Sequence, residues 1–249
     1  MSAGKKGTLC FIHGWGFDGR VLEGFMGGFL PEWDVKTLVL PGYNGDAPLA
    51  LGLESVARAL IPDVPDHSIL IGWSLGGLIG IRISSLKPVK KLILLASTPC
   101  FVKRQNWLFG TEPELVRGLM RRINDDPGRA LREFAKLISR GDRSPRATFR
   151  TLAMLLERNM VHTSALLDGL DILQNADLRT ELSDLGSRAG GILAANDPLV
   201  PAAVAGAMLS LNPNMELRTI SNSGHVPFIS RPEQTRRLLL SMLGHTAIA

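Results

Sequence analysis

Cysteine is nearly absent: Cys10 and Cys100 are the only two in 249 residues, each inside an apolar stretch with no histidine or second cysteine at ligand spacing. Neither a disulfide framework nor a zinc site is expected, and a reducing, cytoplasmic setting fits. No metal or other cofactor is expected. Long apolar runs are missing too. The opening MSAGKKGTLCFIHGWG breaks its apolar run after about five residues, too short for the h-region of a signal peptide or for a membrane span. There is no internal repeat and no low-complexity tract. What is there is ordinary globular usage, 45% hydrophobic and 20% charged, with 26 Gly and 15 Pro spread along the chain, which sets aside disordered and fibrous classes. The length suits one compact domain with room for an insertion, and a monomer is expected.

The formal net charge is +5, a sign that by itself fits nucleic acid, an anionic membrane or an acidic partner. The excess is local. Residues 103–160 hold 13 Lys and Arg against 7 Asp and Glu, a net +6, while the rest of the chain holds 15 against 16. Arginines recur at Arg117, Arg121, Arg122, Arg129, Arg132, Arg140, Arg143, Arg146 and Arg150, with Leu115, Leu119, Ile123, Leu131, Phe134, Leu137 and Ile138 interleaved at helical spacing. This reads as amphipathic helices whose basic face is either simply solvated or a docking surface for something acidic. No helix-turn-helix, zinc-finger or RNP-like pattern accompanies the arginines, so neither nucleic acid nor a membrane is the expected partner.

Short apolar runs alternate with helical patterns along most of the chain, the mark of an α/β protein with a parallel sheet and crossover helices. Strands are expected at Leu9 to Ile12, Val35 to Leu40, Ile69 to Gly72, Leu92 to Ala96, Gly191 to Ala195 and Glu216 to Ile220. Helices are expected near Gly19 to Leu30, Leu53 to Leu60, Ser74 to Leu86, Ala202 to Leu211 and Glu233 to Leu243. The alternation stops between about Phe101 and Arg188, where everything reads as helix. A loop of that length is rare in a compact domain, so residues 101–188 are expected to be a helical insertion on a core of residues 1–100 and 189–249. The insertion follows a strand carboxyl end, where open parallel sheets place their ligand crevices. The basic helices should therefore form a lid over the active site.

Gly72-Trp73-Ser74-Leu75-Gly76 matches G-x-S-x-G in the setting that the motif requires, after an apolar strand and at the start of an apolar helix. Ser74 is the expected nucleophile. A serine hydroxyl needs a histidine base and a carboxylate to orient it, following in the order serine, acid, histidine. Of the late histidines, His245 lies in the C-terminal tail and His162 inside the insertion, whereas His225 follows the last strand; it is the expected base. After the strand ending at Ala195 comes Asn196-Asp197-Pro198, and Asp197 is the expected acid, although an aspartate before proline also makes a good turn or helix cap. The developing oxyanion needs two backbone donors. Leu75, directly after the nucleophile, offers one, and Trp15 in His13-Gly14-Trp15-Gly16 after the first strand offers the other. His13 is expected to bond loop backbone and to take no part in the chemistry.

These motifs resemble those of the α/β-hydrolase fold. Gly14-Trp-Gly16, Gly72-Trp-Ser-Leu-Gly-Gly-Leu78, Ser97-Thr-Pro-Cys-Phe101, Leu170-Asp-Ile-Leu173, Asp177-Leu-Arg179 and Gly224-His-Val-Pro-Phe-Ile-Ser230 together resemble the BioH-type pimeloyl-[acyl-carrier protein] methyl ester esterases of biotin synthesis. The resemblance implies a mostly parallel sheet flanked by helices with an inserted helical lid, and hydrolysis of the methyl ester of a pimeloyl chain carried on acyl carrier protein. It puts Ser74, Asp197 and His225 on the triad and Trp15 and Leu75 on the oxyanion hole. It also implies that substrate contacts Trp15, Leu75, His225 and the lid stretch Phe134, Ala135, Lys136, Leu137 and Ile138. It implies that Arg129, Arg146 and Arg150 meet the acidic carrier protein. Glu133 stands where arginine would be expected, and Arg132 beside it supplies the charge. Two further departures concern the core. Seven residues before the first strand are too few for the antiparallel hairpin that usually opens this fold, so a sheet truncated there is expected; the loop Pro41-Gly-Tyr-Asn-Gly-Asp46 differs from the usual G-x-G-x-S. On residues alone, three other readings stay open: a broad short-chain carboxylesterase or lactonase with no carrier-protein partner, a ligand receptor that keeps the triad without turnover, and a cofactor-free haloperoxidase or C–C bond hydrolase with a similar triad.

Overall fold

The computed structural model describes residues 5–30, 32–43, 45, 52–158 and 160–245. Its strands β1 (Thr8–Ile12), β2 (Asp34–Leu38), β3 (Ile69–Trp73), β4 (Lys91–Leu95), β5 (Ala189–Ala194) and β6 (Glu216–Ile220) form one parallel sheet in the order β2-β1-β3-β4-β5-β6. Burial explains the order. β3 and β5 are buried at every position and β1 and β4 at all but the first, whereas β2 and β6 keep exposed positions. Unbroken apolar runs are satisfied only in the middle of a sheet covered on both faces, and the more polar strands take the edges.

Adjacent residues of β1 show the two covers. Phe11 packs edge-on against Phe25 of α1 (Arg20–Met26), with ring centroids 6.2 Å apart, while Ile12 faces Gly80 of α3 (Leu75–Leu86). α2 (Leu53–Leu60), α3, α8 (Arg179–Asp184) and α9 (Val204–Leu211) pack in succession on one side; α1, α10 (Pro227–Ser230) and α11 (Pro232–Met242) pack together on the other. The chain lays β2 outside β1 and then adds every later strand on the opposite edge. That reversal opens a crevice beyond the carboxyl ends of β1 and β3, into which the loops after both strands lead.

Between β4 and β5 run α4 (Pro113–Asp125), α5 (Pro127–Ile138), α6 (Pro145–Leu156), α7 (Thr163–Asn175) and α8, with only two isolated bridges, Val102 to Thr111 and Arg104 to Trp107, among the described residues. Proline opens α4, α5 and α6, where its fixed φ suits the first helical turn and its missing N–H is no loss. Asp126 caps α5 by accepting the Arg129 N–H at 2.9 Å. α4 packs on α5 and α7, burying Leu119, Ile123, Leu131, Phe134 and Ile138 and leaving the arginines of these helices in solvent.

Three local expectations are corrected. The first helix ends at Met26 and tightens into a 3-10 turn over Gly27–Phe29, because the glycine pair there weakens a helix. β2 stops at Leu38, since the Leu40 N–H is bonded to the His13 ring rather than to a strand. Pro227–Ser230, where no element was expected, forms the short helix α10. Residues Asn44 and Asp46 of the 41–46 loop, and residues 1–4 before β1, lie outside the described residues. Among the described residues no helix is long and apolar enough to cross a membrane, and Cys10 and Cys100 are buried and unpaired.

Candidate active site

Ser74 occupies the turn from β3 into α3 with φ 53° and ψ −119°, a left-handed conformation that a non-glycine residue keeps only when its surroundings enforce it. They do. A Cβ on Gly72 would stand 2.3 Å from the Gly76 carbonyl oxygen, and one on Gly76 would stand 2.3 Å from that of Ile12, so backbone packs directly on backbone around the serine. The Ser74 N–H donates to Leu95 at 3.0 Å, and Ser97 Oγ donates to the Ser74 carbonyl at 2.7 Å.

This turn presents Ser74 Oγ to His225, whose Nε2 is 2.9 Å away. On its other side the ring meets Asp197, with Nδ1 2.8 Å from Oδ2. The His225 and Asp197 side chains are 1% and 0% exposed. The partners set the tautomer: Nδ1–H donates to the carboxylate and Nε2 accepts the serine proton. Asp197 also serves its own turn, because Oδ1 accepts the N–H groups of Leu199 at 2.8 Å and Val200 at 3.0 Å. The contacts to the turn and to the histidine thus coexist, one oxygen each. Trp73 Nε1 donates to the His225 carbonyl at 2.9 Å and ties down the backbone of that histidine. A serine hydroxyl bonded to a neutral imidazole that a buried carboxylate orients is an arrangement suited to nucleophilic attack on a carbonyl.

Leu75 is the first residue of α3, so its N–H has no acceptor within the helix and sits at the positive end of the helix dipole. The loop after β1 approaches from the other strand. There the Trp15 indole donates to Leu166 of α7 at 2.7 Å and stands edge-on to Phe134 of α5 at 4.8 Å. The Gly16 N–H donates to the Tyr43 hydroxyl at 3.2 Å. His13 ties this loop to the exit of β2, donating from Nδ1 to Gly14 at 3.0 Å and accepting the Leu40 N–H on Nε2 at 3.0 Å. Burial lowers its pKa to about 4, which keeps the ring neutral and Nε2 available as an acceptor.

An apolar cavity at Ser74 is lined by Trp15 and Leu199 from the core loops and by Phe101, Leu115, Val116, Leu119, Phe134, Leu170 and Leu173 from the segment between β4 and β5. Of the stretch Phe134 to Ile138, Phe134 alone lines it. Ala135 and Ile138 are buried in helix packing, Leu137 is half-buried, and Lys136 faces a groove between α5 and α6 together with Arg129, Arg132 and Phe149. Successive residues of a helix point about 100° apart, so five in a row cannot share one cavity. Of the arginines singled out in the sequence, Arg129 is paired with Glu133 at 3.0 Å, and Glu133 also faces Arg122 at 3.7 Å. Arg132, Arg146 and Arg150 are exposed and form no ion pair among the described residues. A second cavity beside Leu75 holds Tyr43 and Asp168, and burial, with Asp171 nearby, raises the Asp168 carboxyl pKa to about 6. Among the described residues no three His, Cys, Asp or Glu side chains come together to hold a metal ion.

A model of the alpha/beta hydrolase family matches residues 11–238. The chain belongs to that family. Among the relatives of this hydrolase, it is 34% identical over 229 residues to the pimeloyl-[acyl-carrier protein] methyl ester esterase of Pectobacterium carotovorum subsp. carotovorum, covering 90% of this chain and 89% of the relative. It is 32% identical over 243 residues to the protein of the same name from Aromatoleum aromaticum, covering 94% and 97%. Solved structures agree on the fold: an esterase from Exiguobacterium antarcticum superposes with a TM-score of 0.82 at 20% identity over 97% of this chain and 93% of that one. A bromoperoxidase from Bacillus anthracis gives 0.84 at 20% identity over 97% and 92%. The hydrolase fold is therefore shared with enzymes of different reactions, and the chemistry has to be argued from the site.

Proposed function

We propose that this chain is a serine carboxylesterase that hydrolyses the methyl ester of a pimeloyl chain carried on acyl carrier protein. The chemistry rests on one observation, the buried chain of hydrogen bonds from Ser74 through His225 to Asp197 at 2.9 and 2.8 Å. The choice of substrate is supported by the similarity, over nine-tenths of the chain, to relatives that bear that name.

In this reaction His225 Nε2 takes the Ser74 proton as Oγ attacks the ester carbonyl, and the imidazolium that forms is stabilised by Asp197. The oxyanion takes hydrogen bonds from the Leu75 and Trp15 N–H groups, a contribution of roughly two to three orders of magnitude in rate per donor. The carbonyl–methoxy bond then breaks, methanol leaves with the proton from Nε2, and the acyl group remains on Ser74. Water enters, gives a proton to His225 and attacks the acyl-enzyme carbonyl; as the carbonyl–Oγ bond breaks, His225 returns that proton to Ser74 Oγ, and the acid leaves and ionises to the carboxylate.

The apolar side chains that α4, α5 and α7 place beside Ser74 suit contact with the methylene chain, with the segment of residues 101–188 acting as a lid that opens to admit it. Arg132, Arg146 and Arg150, with Arg129 partly neutralised by Glu133, form the docking face for the acidic carrier protein. This reading has the enzyme working in the cytoplasm, as a monomer, without metal or cofactor. Expression in a strain that lacks its own pimeloyl-[acyl-carrier protein] methyl ester esterase tests it. Growth without biotin is expected from the wild type and not from Ser74→Ala. Failure of a well-folded wild type that still cleaves a p-nitrophenyl ester would replace this reading with a broad esterase that needs no carrier.

A further inference from the structure

The turn that joins α5 to α6 reaches into the two loops that carry the acid and the base. Gly141 there has φ 85°, and a Cβ on it would stand 2.0 Å from the Asn196 carbonyl oxygen; Asn196 Nδ2 donates to the Gly141 carbonyl at 3.1 Å. Asn196 immediately precedes Asp197. The next residue, Asp142, is 6% exposed, and its Oδ1 accepts the Gly224 N–H at 2.6 Å. Gly224 immediately precedes His225, and a Cβ on it would stand 2.3 Å from the Arg140 carbonyl oxygen. The acid and base loops are also joined to each other, Asn196 N–H to Ser223 at 3.0 Å. Three loops, 55 and 82 residues apart in the sequence, therefore meet in one hydrogen-bonded knot.

Asp142 has no hydrogen bond to Ser74, Asp197 or the His225 ring, and its Oδ2 is buried with no partner among the described residues. Burying a carboxylate that is only half satisfied costs stability, whereas a short bond from a backbone N–H to a charged acceptor is stronger and more directional than one to a neutral group. We infer that Asp142 is a positioning residue for His225: by holding the Gly224 N–H it fixes the backbone from which the imidazole reaches Ser74. The inference rests on the reading of Ser74, His225 and Asp197 as the reacting triad. It gives the helical segment a second task besides covering the crevice, because the same turn that closes α5 sets the geometry of the base.

The test is steady-state hydrolysis of p-nitrophenyl butyrate by Asp142→Ala and Asp142→Asn, with Ser74→Ala as the control that reports on the triad. Loss of the acceptor should lower kcat by about 10- to 100-fold, the scale of a small misplacement of reacting groups, with KM within about twofold of wild type and the fold intact by circular dichroism. Asn keeps an oxygen in the Oδ1 position and should retain at least about a third of kcat. Asp142→Ser, polar but too short to reach Gly224, should behave as Ala does and serves where Ala fails to fold. Wild-type kcat in a folded Ala or Ser variant, or a loss that falls on KM alone, would overturn the positioning role. If Ser74→Ala is inactive in the same assay, the triad reading stands whichever way Asp142 behaves.

Discussion

Asp197 and His225 meet at 2.8 Å through one carboxylate oxygen only, the other being committed to the N–H groups of Leu199 and Val200. The division of labour separates two losses that a single substitution would ordinarily mix. Asp197→Asn keeps an oxygen for the turn while removing the charge that orients and stabilises the imidazole, so kcat should fall by about 10³–10⁴-fold with little change in Tm. Asp197→Ala should be equally inactive and also lose about 1–3 kcal/mol of stability from the orphaned N–H groups. Measuring kcat and the denaturation midpoint on both variants checks this; equal stability of the two would contradict the double role.

Phe134 is the part of α5 that faces Ser74, edge-on to Trp15 at 4.8 Å. Truncation to Ala opens the cavity where an acyl chain would lie, at a stability cost of about 3–5 kcal/mol typical of a buried Phe. The ratio of kcat/KM for p-nitrophenyl octanoate over acetate should rise several-fold. An unchanged ratio would place the acyl chain elsewhere.

Charge reversal at Arg146 and Arg150 should raise KM for a carrier-protein ester by about tenfold or more and leave a p-nitrophenyl ester unaffected. Arg129→Glu should do less, because Glu133 already faces that guanidinium at 3.0 Å. The comparison is made by kinetics at low and at physiological salt, since docking through exposed charges is screened by ions. Equal effects on both substrates would refute a docking role.

One buried group, His13, and one half-buried group, Asp168, oppose each other in acid. His13 has a folded pKa of about 4 against 6.5, so between those values the unfolded chain binds more protons and stability is lost as pH falls. Asp168 has a folded pKa of about 6 against 3.8, so over nearly the same range the folded chain binds more protons and stability is lost as pH rises. Asp168→Asn removes the second effect alone. Urea unfolding at pH 4.5 and 6.5 should therefore show a steeper gain of stability with pH in the variant than in the wild type. The same slope in both would contradict the raised carboxyl.

Local pattern carried most of the architecture. Apolar runs such as Leu92 to Leu95, short and spaced by helical patterns, read as central parallel strands, and the strand-turn-helix around Ser74 requires glycines at fixed places, so the sheet and the meeting of Ser74, His225 and Asp197 were legible in the sequence. What was not legible depends on contacts between distant segments. Ser97, from the loop after β4, bonds the Ser74 carbonyl, and Tyr43 supports Gly16 from the loop after β2. Trp73 sits inside the recognised motif, yet its bond to His225 spans 152 residues. Asp142 lies in the helical segment, 82 residues from Gly224, and no spacing rule connects them. The register of α5 was the other gap: five successive residues were expected on the substrate, and helical geometry allows Phe134 while turning Lys136 to the outer groove.

The most direct test of the central claim is turnover of purified protein on pimeloyl-[acyl-carrier protein] methyl ester, followed as methanol released and free carboxylate formed, with Ser74→Ala beside it. The account predicts stoichiometric release of both products by the wild type and less than about a hundredth of that rate from the variant, since removal of the nucleophile leaves only residual catalysis. Wild-type protein that cleaves p-nitrophenyl butyrate but leaves the carrier-bound ester intact, or a Ser74→Ala variant as active as wild type, would contradict it.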